Sequence, residues 1–276
     1  MALSLTAAGA GPAGAAMPEG RHAQLPGVRL WYVDTGGSGT PLVMLHANTG
    51  TIETWEPQIA PFAAAGYRVI AFDRRGWGRS EPDPSSGPQP GTVTEDLDAL
   101  VRHLGLDRFH LLGVAGGGFV ALDYGGWRPE RLLSLIVGAS YGNFSEPEIR
   151  TFFDRVNSPE FQRQPSELRE IGPTYRGTNP DGVARWIAIE HGSRRAGAPA
   201  QPLRTPNTYA KIAAITCPAL VIAAGADLYA PPALMQMWAR RLPRHEWDVI
   251  PEAGHAIAWE YPEAFNEKVL AFLRKV

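Results

Sequence analysis

Cysteine is almost absent from this chain: Cys217 is the only one among 276 residues, so no intrachain disulfide can form. No apolar run is long enough to cross a membrane. An excess of charge is also missing, since the formal net charge is −2, and this gives no electrostatic reason to expect nucleic acid or an anionic membrane as a partner. A small-molecule substrate is therefore the expected partner, and the oligomeric state stays open.

Motifs for nucleotides and metals are missing as well. The glycines at 116, 117 and 118 form a run, but neither the lysine of a phosphate-binding loop nor the spacing of a dinucleotide fingerprint accompanies it. No cluster of metal-ligating residues stands out either. We therefore expect no cofactor and no metal ion.

The N-terminal stretch is rich in alanine and glycine. It lacks the basic region and the strong apolar core of a signal peptide. We predict a flexible tail over residues 1–24 and a cytoplasmic location for the protein.

Short apolar runs alternate with helical patterns along most of the chain. Pro41–Leu45 and Ala219–Ala224 are continuous apolar runs, as expected for strands that are covered on both faces. Val28–Val33 instead alternates apolar and polar residues and predicts an antiparallel edge strand. Alternation of strands and helices predicts an α/β fold with a mostly parallel, doubly wound sheet and helices on both faces.

This alternation stops between residues 141 and 209. The segment has no strand pattern and reads as several short helices separated by proline and glycine. We predict that residues 25–140 and 210–276 form one core and that 141–209 is a helical lid. Such a lid would lie over the carboxyl ends of the strands, where open α/β sheets bind ligands.

One strand is followed by an unusual glycine turn. Phe109–Leu112 is apolar, Gly113 and Gly117 flank position 115, and a helical pattern begins at Phe119. Strand, sharp glycine turn and helix are typical of a nucleophile elbow, written G-x-S-x-G. Position 115 is alanine, however, and its methyl group has no oxygen with which to attack a substrate.

Together, five motifs in this chain order resemble the α/β-hydrolase superfamily from about residue 25 to the C-terminus. The resemblance is to its lidded branch of esterases, enol-lactonases, carbon–carbon hydrolases, epoxide hydrolases and haloperoxidase-like enzymes. The motifs are His46 after an apolar strand, the turn Asp73–Ser80, the glycine turn Gly113–Gly117, Asp227 after the strand Ala219–Ala224, and Gly254–His255 before a last helix.

The resemblance implies a set of catalytic roles. The family's order of nucleophile, acid and histidine falls on Ala115, Asp227 and His255. His255 would act as general base and acid, and Asp227 would orient its ring. An alternative reading of Asp227 is a helix N-cap before Pro231. Ser80 and Ser140 do not lie on an elbow, so neither is expected to replace the missing nucleophile.

The same resemblance places an oxyanion hole and its supports. Backbone N–H groups at Gly116 and near Asn48 would stabilise the oxyanion. Ala47 departs from the family, which usually has glycine there. His46, like Asp73 and Arg75 in the next loop, is expected to brace the structure and not to take part in chemistry.

Ala115 leaves three interpretations open. The residue could be an engineered knockout that traps a substrate, or the chain could be a natural serine-less enzyme in which Asp227 and His255 activate water or abstract a proton. It could also be a binding protein without turnover. Losing the nucleophile of a serine triad costs about 10⁶ in turnover, so the interpretations predict very different activities.

The expected substrate is a small or medium organic molecule with an ester, lactone or carbon–carbon bond to cleave. Its pocket should be apolar and aromatic, with Trp259, Trp77 or lid residues such as Trp186 in its wall. Several arginines of the lid segment could bind a substrate carboxylate, although we expect most of them to face water. They are Arg150, Arg176, Arg185, Arg194 and Arg195.

Overall fold

The computed structural model describes residues 17–276, and the first sixteen residues of the predicted tail lie outside that range. Within it, nine strands form one sheet. They are β1 (Arg21–Leu25), β2 (Val28–Asp34), β3 (Pro41–Leu45), β4 (Arg68–Phe72), β5 (Glu81–Pro82), β6 (Phe109–Val114), β7 (Leu132–Gly138), β8 (Ala219–Ala224) and β9 (His245–Ile250).

The sheet is mostly parallel, as predicted. Its strand order is β1-β2-β4-β3-β6-β7-β8-β9, with β5 paired to β2. The strands from β4 to β9 in that order run parallel, whereas the pairs that involve β2 are antiparallel. Because the parallel strands all end on the same side, the loops that follow them meet along one edge of the sheet.

The N-terminal edge differs from the prediction at two points. Arg21–Leu25 is a strand and not tail, so the predicted tail is wrong over its last four residues. This strand forms a hairpin with Val28–Asp34, which is therefore antiparallel but not at the edge. The turn between them has Gly27 at φ 77°, a conformation that glycine adopts without steric cost.

Helices cover both faces of the sheet because its strands are apolar on both faces. Along β3, Val43 and Leu45 belong to one buried cluster, whereas Leu42 and Met44 belong to the other. Burying one such side chain stabilises the fold by about 1.5–3 kcal/mol. Cys217 is also buried.

The helices alternate with the strands except in one long insertion. None of the helices in residues 17–276 is both long and apolar enough to cross a membrane. The helices are α1 (Glu56–Ala64), α2 (Val93–His103), α3 (Gly116–Trp127), α4 (Pro147–Val156), α5 (Pro159–Gln162), α6 (Ser166–Glu170), α7 (Pro173–Thr178), α8 (Pro180–Ser193), α9 (Tyr209–Ile212), α10 (Pro232–Ala239), α11 (Ile257–Glu260) and α12 (Pro262–Leu273).

The insertion lies between β7 and β8 and contains helices and no strand of the main sheet within the described chain. Four of its helices begin with proline, which is favoured at the first helical position because its fixed φ suits the helix and its missing N–H would be unpaired there anyway. Because the residue before a proline disfavours the helical conformation, these prolines divide the segment into separate helices, the longest of which is α8 with 14 residues.

The insertion contacts loops at the carboxyl ends of the parallel strands. The Gly78 N–H donates to the Ser193 carbonyl at 2.7 Å, and the Arg195 N–H donates to the Gly76 carbonyl at 2.9 Å, in the loop after β4. The Ala256 N–H, after β9, donates to the Glu170 carbonyl at 3.1 Å. This is the edge at which open α/β sheets bind ligands.

Candidate active site

Ala115 lies at the sharp turn between β6 and α3. Its backbone has φ 49° and ψ −118°, a conformation that costs a residue with a side chain about 1–3 kcal/mol. The Ala115 N–H donates to the Gly138 carbonyl, and the Gly118 N–H donates to the Ala115 carbonyl, both at 3.0 Å. The chain therefore has the strained turn of a nucleophile elbow around a methyl group.

The flanking glycines are required by close backbone contacts. A Cβ on Gly113 would lie 2.4 Å from the Gly117 carbonyl oxygen, and a Cβ on Gly117 would lie 2.2 Å from the Leu45 carbonyl oxygen. Real Cβ atoms essentially never come so close to other atoms. Glycine at both positions thus lets β6, α3 and the end of β3 pack together.

Asp227 and His255 form the hydrogen-bonded pair that the sequence predicts. The His255 Nδ1 lies 2.8 Å from Asp227 Oδ2. The other carboxylate oxygen accepts N–H bonds from Tyr229 at 2.7 Å and Ala230 at 2.9 Å. Asp227 therefore orients the imidazole with one oxygen and holds the following turn with the other. The alternative reading as a helix N-cap is wrong, because α10 begins at Pro232 and its N-cap position is Pro231.

The surroundings of His255 favour its protonated form. Burial opposes the charge on the ring, but the Asp227 carboxylate, followed by Glu170 and Glu260, raises the pKa of His255 above its ordinary value. Because Nδ1 is held by Asp227, Nε2 is the atom that can exchange a proton with a substrate or water.

The two candidate oxyanion residues lie against each other. Gly116 is the first residue of α3, and a Cβ on it would be 2.3 Å from Asn48 Oδ1. Arg74, which the sequence analysis did not single out, donates to Asn48 Oδ1 at 2.9 Å and to the Ala47 carbonyl at 3.1 Å. The Trp77 indole N–H donates to the Asn48 carbonyl at 2.8 Å. These bonds fix the loop after β3.

His46 braces the same loop. Its Nε2 accepts the Arg74 N–H at 3.0 Å, so Nδ1 carries the proton and donates to the Ala47 carbonyl at 2.7 Å. Burial, and then the neighbouring Arg74, lowers the pKa of His46 well below its usual value. A neutral, doubly bonded ring of this kind holds the loop and has no nitrogen left for a substrate.

Asp73 and Arg75 hold their turn, as expected. Asp73 accepts N–H bonds from Ile52 at 2.8 Å and Arg79 at 2.9 Å. Arg75 forms a buried ion pair with Asp96 at 2.6 Å.

Two acidic side chains near His255 were missed by sequence reasoning. Glu170, at the end of α6, is 7% exposed, and its Oε2 accepts the Thr49 hydroxyl at 2.7 Å. Burial raises the pKa of Glu170, although His255 and the Thr49 hydroxyl counteract this effect. No local motif marks either Glu170 or Thr49, because their meeting depends on how the insertion folds back.

Glu260 is the second of these acids, and it joins the insertion to the histidine loop. Its Oε2 accepts N–H bonds from Gly172 and Gly254, both at 2.9 Å. Burial raises the pKa of Glu260 to about 7, although these two N–H groups lower it.

A small cavity lies beside His255, between the core and the insertion. Its volume is about 30 Å³, which is room for about two water molecules. Trp259 and Trp186 line it as predicted, whereas Trp77 does not, because its indole is bonded to the loop after β3. The remaining lining residues are Ala47, Thr49, Gly50, Thr54, Trp55, Val114, Glu170, His255, Ala256, Ile257 and Ala258.

The arginines of the insertion do not line this cavity. Arg176 donates to the Ile171 carbonyl, Arg185 pairs with Glu56 at 3.2 Å, and Arg194 lies over the Trp77 ring at 4.8 Å. The expected arginine for a substrate carboxylate is therefore absent from the lining, and an acidic residue, Glu170, is present instead.

Neither serine considered as a substitute nucleophile has a free hydroxyl. Ser140 donates to the Ala115 carbonyl at 2.8 Å and accepts the Gly142 N–H at 3.2 Å. Ser80 donates to the Asp73 carbonyl at 2.5 Å and accepts the Trp31 N–H at 2.9 Å. Both side chains are buried and serve the backbone around them.

Fold and site together define an α/β-hydrolase, and comparison with known proteins agrees. The family model described as the alpha/beta hydrolase family matches residues 42–268. The chain therefore belongs to the α/β-hydrolase family. It is an enzyme, since its relatives include proteins named as hydrolases and esterases.

Three of these relatives indicate the range of activities. A Mycobacterium tuberculosis protein, named provisionally as the non-heme bromoperoxidase BpoC, is 34% identical over 90% of this chain and 99% of its own. A 2-hydroxy-6-oxononadienedioate/2-hydroxy-6-oxononatrienedioate hydrolase of Paraburkholderia phymatum is 29% identical over 89% of this chain and 91% of its own. The structure of a thermophilic esterase from Thermogutta terrifontis is similar with a TM-score of 0.76 and 25% identity, over 92% of this chain and 98% of its own.

Proposed function

We propose that this enzyme cleaves an ester, lactone or carbon–carbon bond of a small organic substrate by general-base chemistry at His255. No covalent intermediate forms on residue 115. The observation that carries the proposal is the 2.8 Å hydrogen bond between His255 and Asp227, in a chain whose elbow residue, Ala115, has no nucleophilic atom.

His255 would act through Nε2. In its neutral form this nitrogen takes a proton from a water molecule as the water oxygen attacks the substrate carbonyl, and the imidazolium later gives the proton to the leaving group. Asp227 stabilises the imidazolium and keeps the ring in place. The backbone N–H groups of Gly116 and Asn48 would bind the developing oxyanion.

The insertion would act as a lid in this scheme. It contributes Glu170 and Trp186 to the wall of the cavity beside His255, so movement of the insertion would admit a substrate. Exclusion of bulk water by such a lid strengthens the electrostatic interactions that a base and an oxyanion hole depend on. The names of the relatives support a small organic substrate, because they include an esterase and a 2-hydroxy-6-oxononadienedioate/2-hydroxy-6-oxononatrienedioate hydrolase.

The test is turnover of a panel of aryl esters, lactones and vinylogous diketones by the unmodified chain, by His255→Gln and by His191→Gln. His191 lies on the exposed face of α8 with a side chain 72% exposed, so its variant is the matched control. Loss of general-base catalysis should lower turnover about 10²–10⁴-fold in His255→Gln only.

Two results would contradict the proposal. Equal turnover by the unmodified chain and His255→Gln would show that His255 is not the general base. Binding of panel substrates without any turnover would favour the interpretation of the chain as a binding protein that keeps the hydrolase pocket.

A further inference from the structure

The wall that the insertion contributes to the cavity beside His255 carries one acidic side chain. Glu170 lines the cavity beside His255, and its carboxylate accepts the Thr49 hydroxyl at 2.7 Å. It is the acidic residue of the lining, and His255 is the only other titratable group among the residues that enclose this cavity. A ligand that enters therefore meets a carboxylate on one side.

The backbone at Glu170 is held between the insertion and the histidine loop. Its carbonyl accepts the Ala256 N–H at 3.1 Å. Two residues later, the Gly172 N–H donates to Glu260, which also accepts the Gly254 N–H. These hydrogen bonds to residues on both sides of His255 fix the backbone position from which the Glu170 side chain extends.

Neither Arg74, which holds the loop after β3, nor Arg169 lines the cavity. His255 is bonded to Asp227, so the three groups His255, Asp227 and Glu170 carry one positive and two negative charges when all are ionised. Arg169, the neighbour of Glu170, donates to the Tyr229 hydroxyl. A ligand carboxylate would add a further negative charge in a place where burial weakens screening.

We infer that Glu170 makes the site select substrates by their charge. The site takes neutral substrates and rejects those that carry a carboxylate close to the bond that is cleaved. The inference rests on the proposed function for the location of that bond. It replaces the idea of an arginine that binds a substrate carboxylate. The lining residue that could face such a carboxylate is Glu170, whose side chain carries a negative charge as well.

The experiment compares two ligands of the same shape that differ in charge. N-phenylsuccinamic acid and N-phenylsuccinamide differ only by a carboxylate in place of a carboxamide, and their anilide bond resists hydrolysis. Their dissociation constants are measured by calorimetry at pH 8 for the unmodified chain, for Glu170→Gln and for Glu160→Gln. Glu160 is the control because its side chain is 73% exposed on α5.

The unmodified chain and Glu160→Gln should bind the amide about tenfold or more tightly than the acid, and Glu170→Gln should reduce this ratio by about tenfold or more. Glutamine keeps an oxygen for the Thr49 hydroxyl, so the wall should stay in place. In the same variant, loss of a carboxylate that raises the pKa of His255 should lower that pKa, as followed by NMR of the ring.

An unchanged ratio in Glu170→Gln overturns the inference, and so does equal binding of both ligands or binding of neither by the unmodified chain. Binding at equilibrium does not require turnover. A charge-selective cavity in a chain that shows no turnover would therefore overturn the proposed function alone, whereas turnover that is indifferent to substrate charge would overturn the inference alone.

Discussion

Gly172 of the insertion and Gly254 of the histidine loop are in direct backbone contact, so that a Cβ on Gly254 would lie 2.3 Å from the Gly172 nitrogen. Both N–H groups donate to the same oxygen of Glu260. Because neither residue has a side chain, the insertion can approach the loop that carries His255 closely enough to enclose the cavity.

Replacing Gly254 by alanine should therefore separate the insertion from the core. The new methyl group would meet backbone atoms that have little room to move, and we expect the free energy of unfolding to fall by about 1–3 kcal/mol. The amide hydrogens of Gly172 and Ala256 should exchange faster with solvent. Gly177→Ala is the control, because a Cβ there would meet nothing within 4 Å; equal exchange in both variants would contradict the prediction.

Glu260→Gln should make stability less dependent on pH. Burial raises the pKa of Glu260 to about 7 in the folded chain, against about 4.3 when unfolded. As the pH rises, the unfolded chain therefore loses this proton before the folded chain does. The stability that the protonated Glu260 contributes is complete below about pH 4 and is lost as the pH rises through 7. Between pH 5 and 8 the variant should gain about 1–3 kcal/mol relative to the unmodified chain.

Chemical denaturation at several pH values measures this difference. Glu263→Gln is the control, because Glu263 lies exposed in the first turn of α12. If the stabilities of Glu260→Gln and the unmodified chain stay parallel from pH 5 to pH 8, then Glu260 is ionised throughout and the prediction is wrong.

Ala115→Ser should acquire covalent chemistry. The elbow conformation at φ 49° is already present, so the hydroxyl needs little rearrangement of the backbone. We expect the variant to react with a fluorophosphonate probe and to hydrolyse aryl esters, whereas the unmodified chain takes no label at position 115. Mass spectrometry locates the label.

The double variant with Ala115→Ser and His255→Gln is the control, and it should lose most of the labelling because the hydroxyl then lacks a base. Failure of the single variant to label would mean that His255 does not face position 115, since the position of the ring relative to Ala115 is itself a prediction.

Asp227→Asn should lower the pKa of His255. Burial lowers this pKa, and in the variant the Asp227 carboxylate would no longer oppose that effect. A histidine whose pKa is raised on folding contributes stability that is complete below about 6.5, the unfolded value, and that is lost as the pH rises through the folded value. The variant should therefore lose more stability at pH 5.5 than at pH 9. Titration of the ring by NMR and denaturation at both pH values check the two statements; a loss that does not vary with pH would contradict the second.

The core of the fold could be predicted because its signals are local. Apolar runs such as Pro41–Leu45 and Ala219–Ala224 became strands with the predicted bounds, and Gly113 and Gly117 mark the elbow by spacing alone. Arg21–Leu25 was missed because it has two buried apolar residues among polar ones. Its pairing with β2 comes from the turn between them, which a composition-based reading of the tail overlooked.

The site could be predicted only where family motifs mark it. Asp227 and His255 each follow a strand at a recognisable position, but Glu170 lies in a segment with no repeat or motif. The arginines of that segment were considered as ligands because of their charge. Arg176, however, donates its hydrogen bonds to backbone carbonyls in and after α6. Which side chain of an irregular segment points inward depends on long-range packing, and local patterns do not contain that information.

The size of the cavity has a kinetic consequence. With about 30 Å³ beside His255, the cavity has room for water but not for an organic substrate, so the insertion would have to move before a substrate could bind. The observed rate of ligand binding should therefore level off at high ligand concentration, at the frequency with which the insertion lifts from the core. Product leaves by the same motion, so departure of the product and not bond cleavage would set the pace of turnover on a reactive substrate.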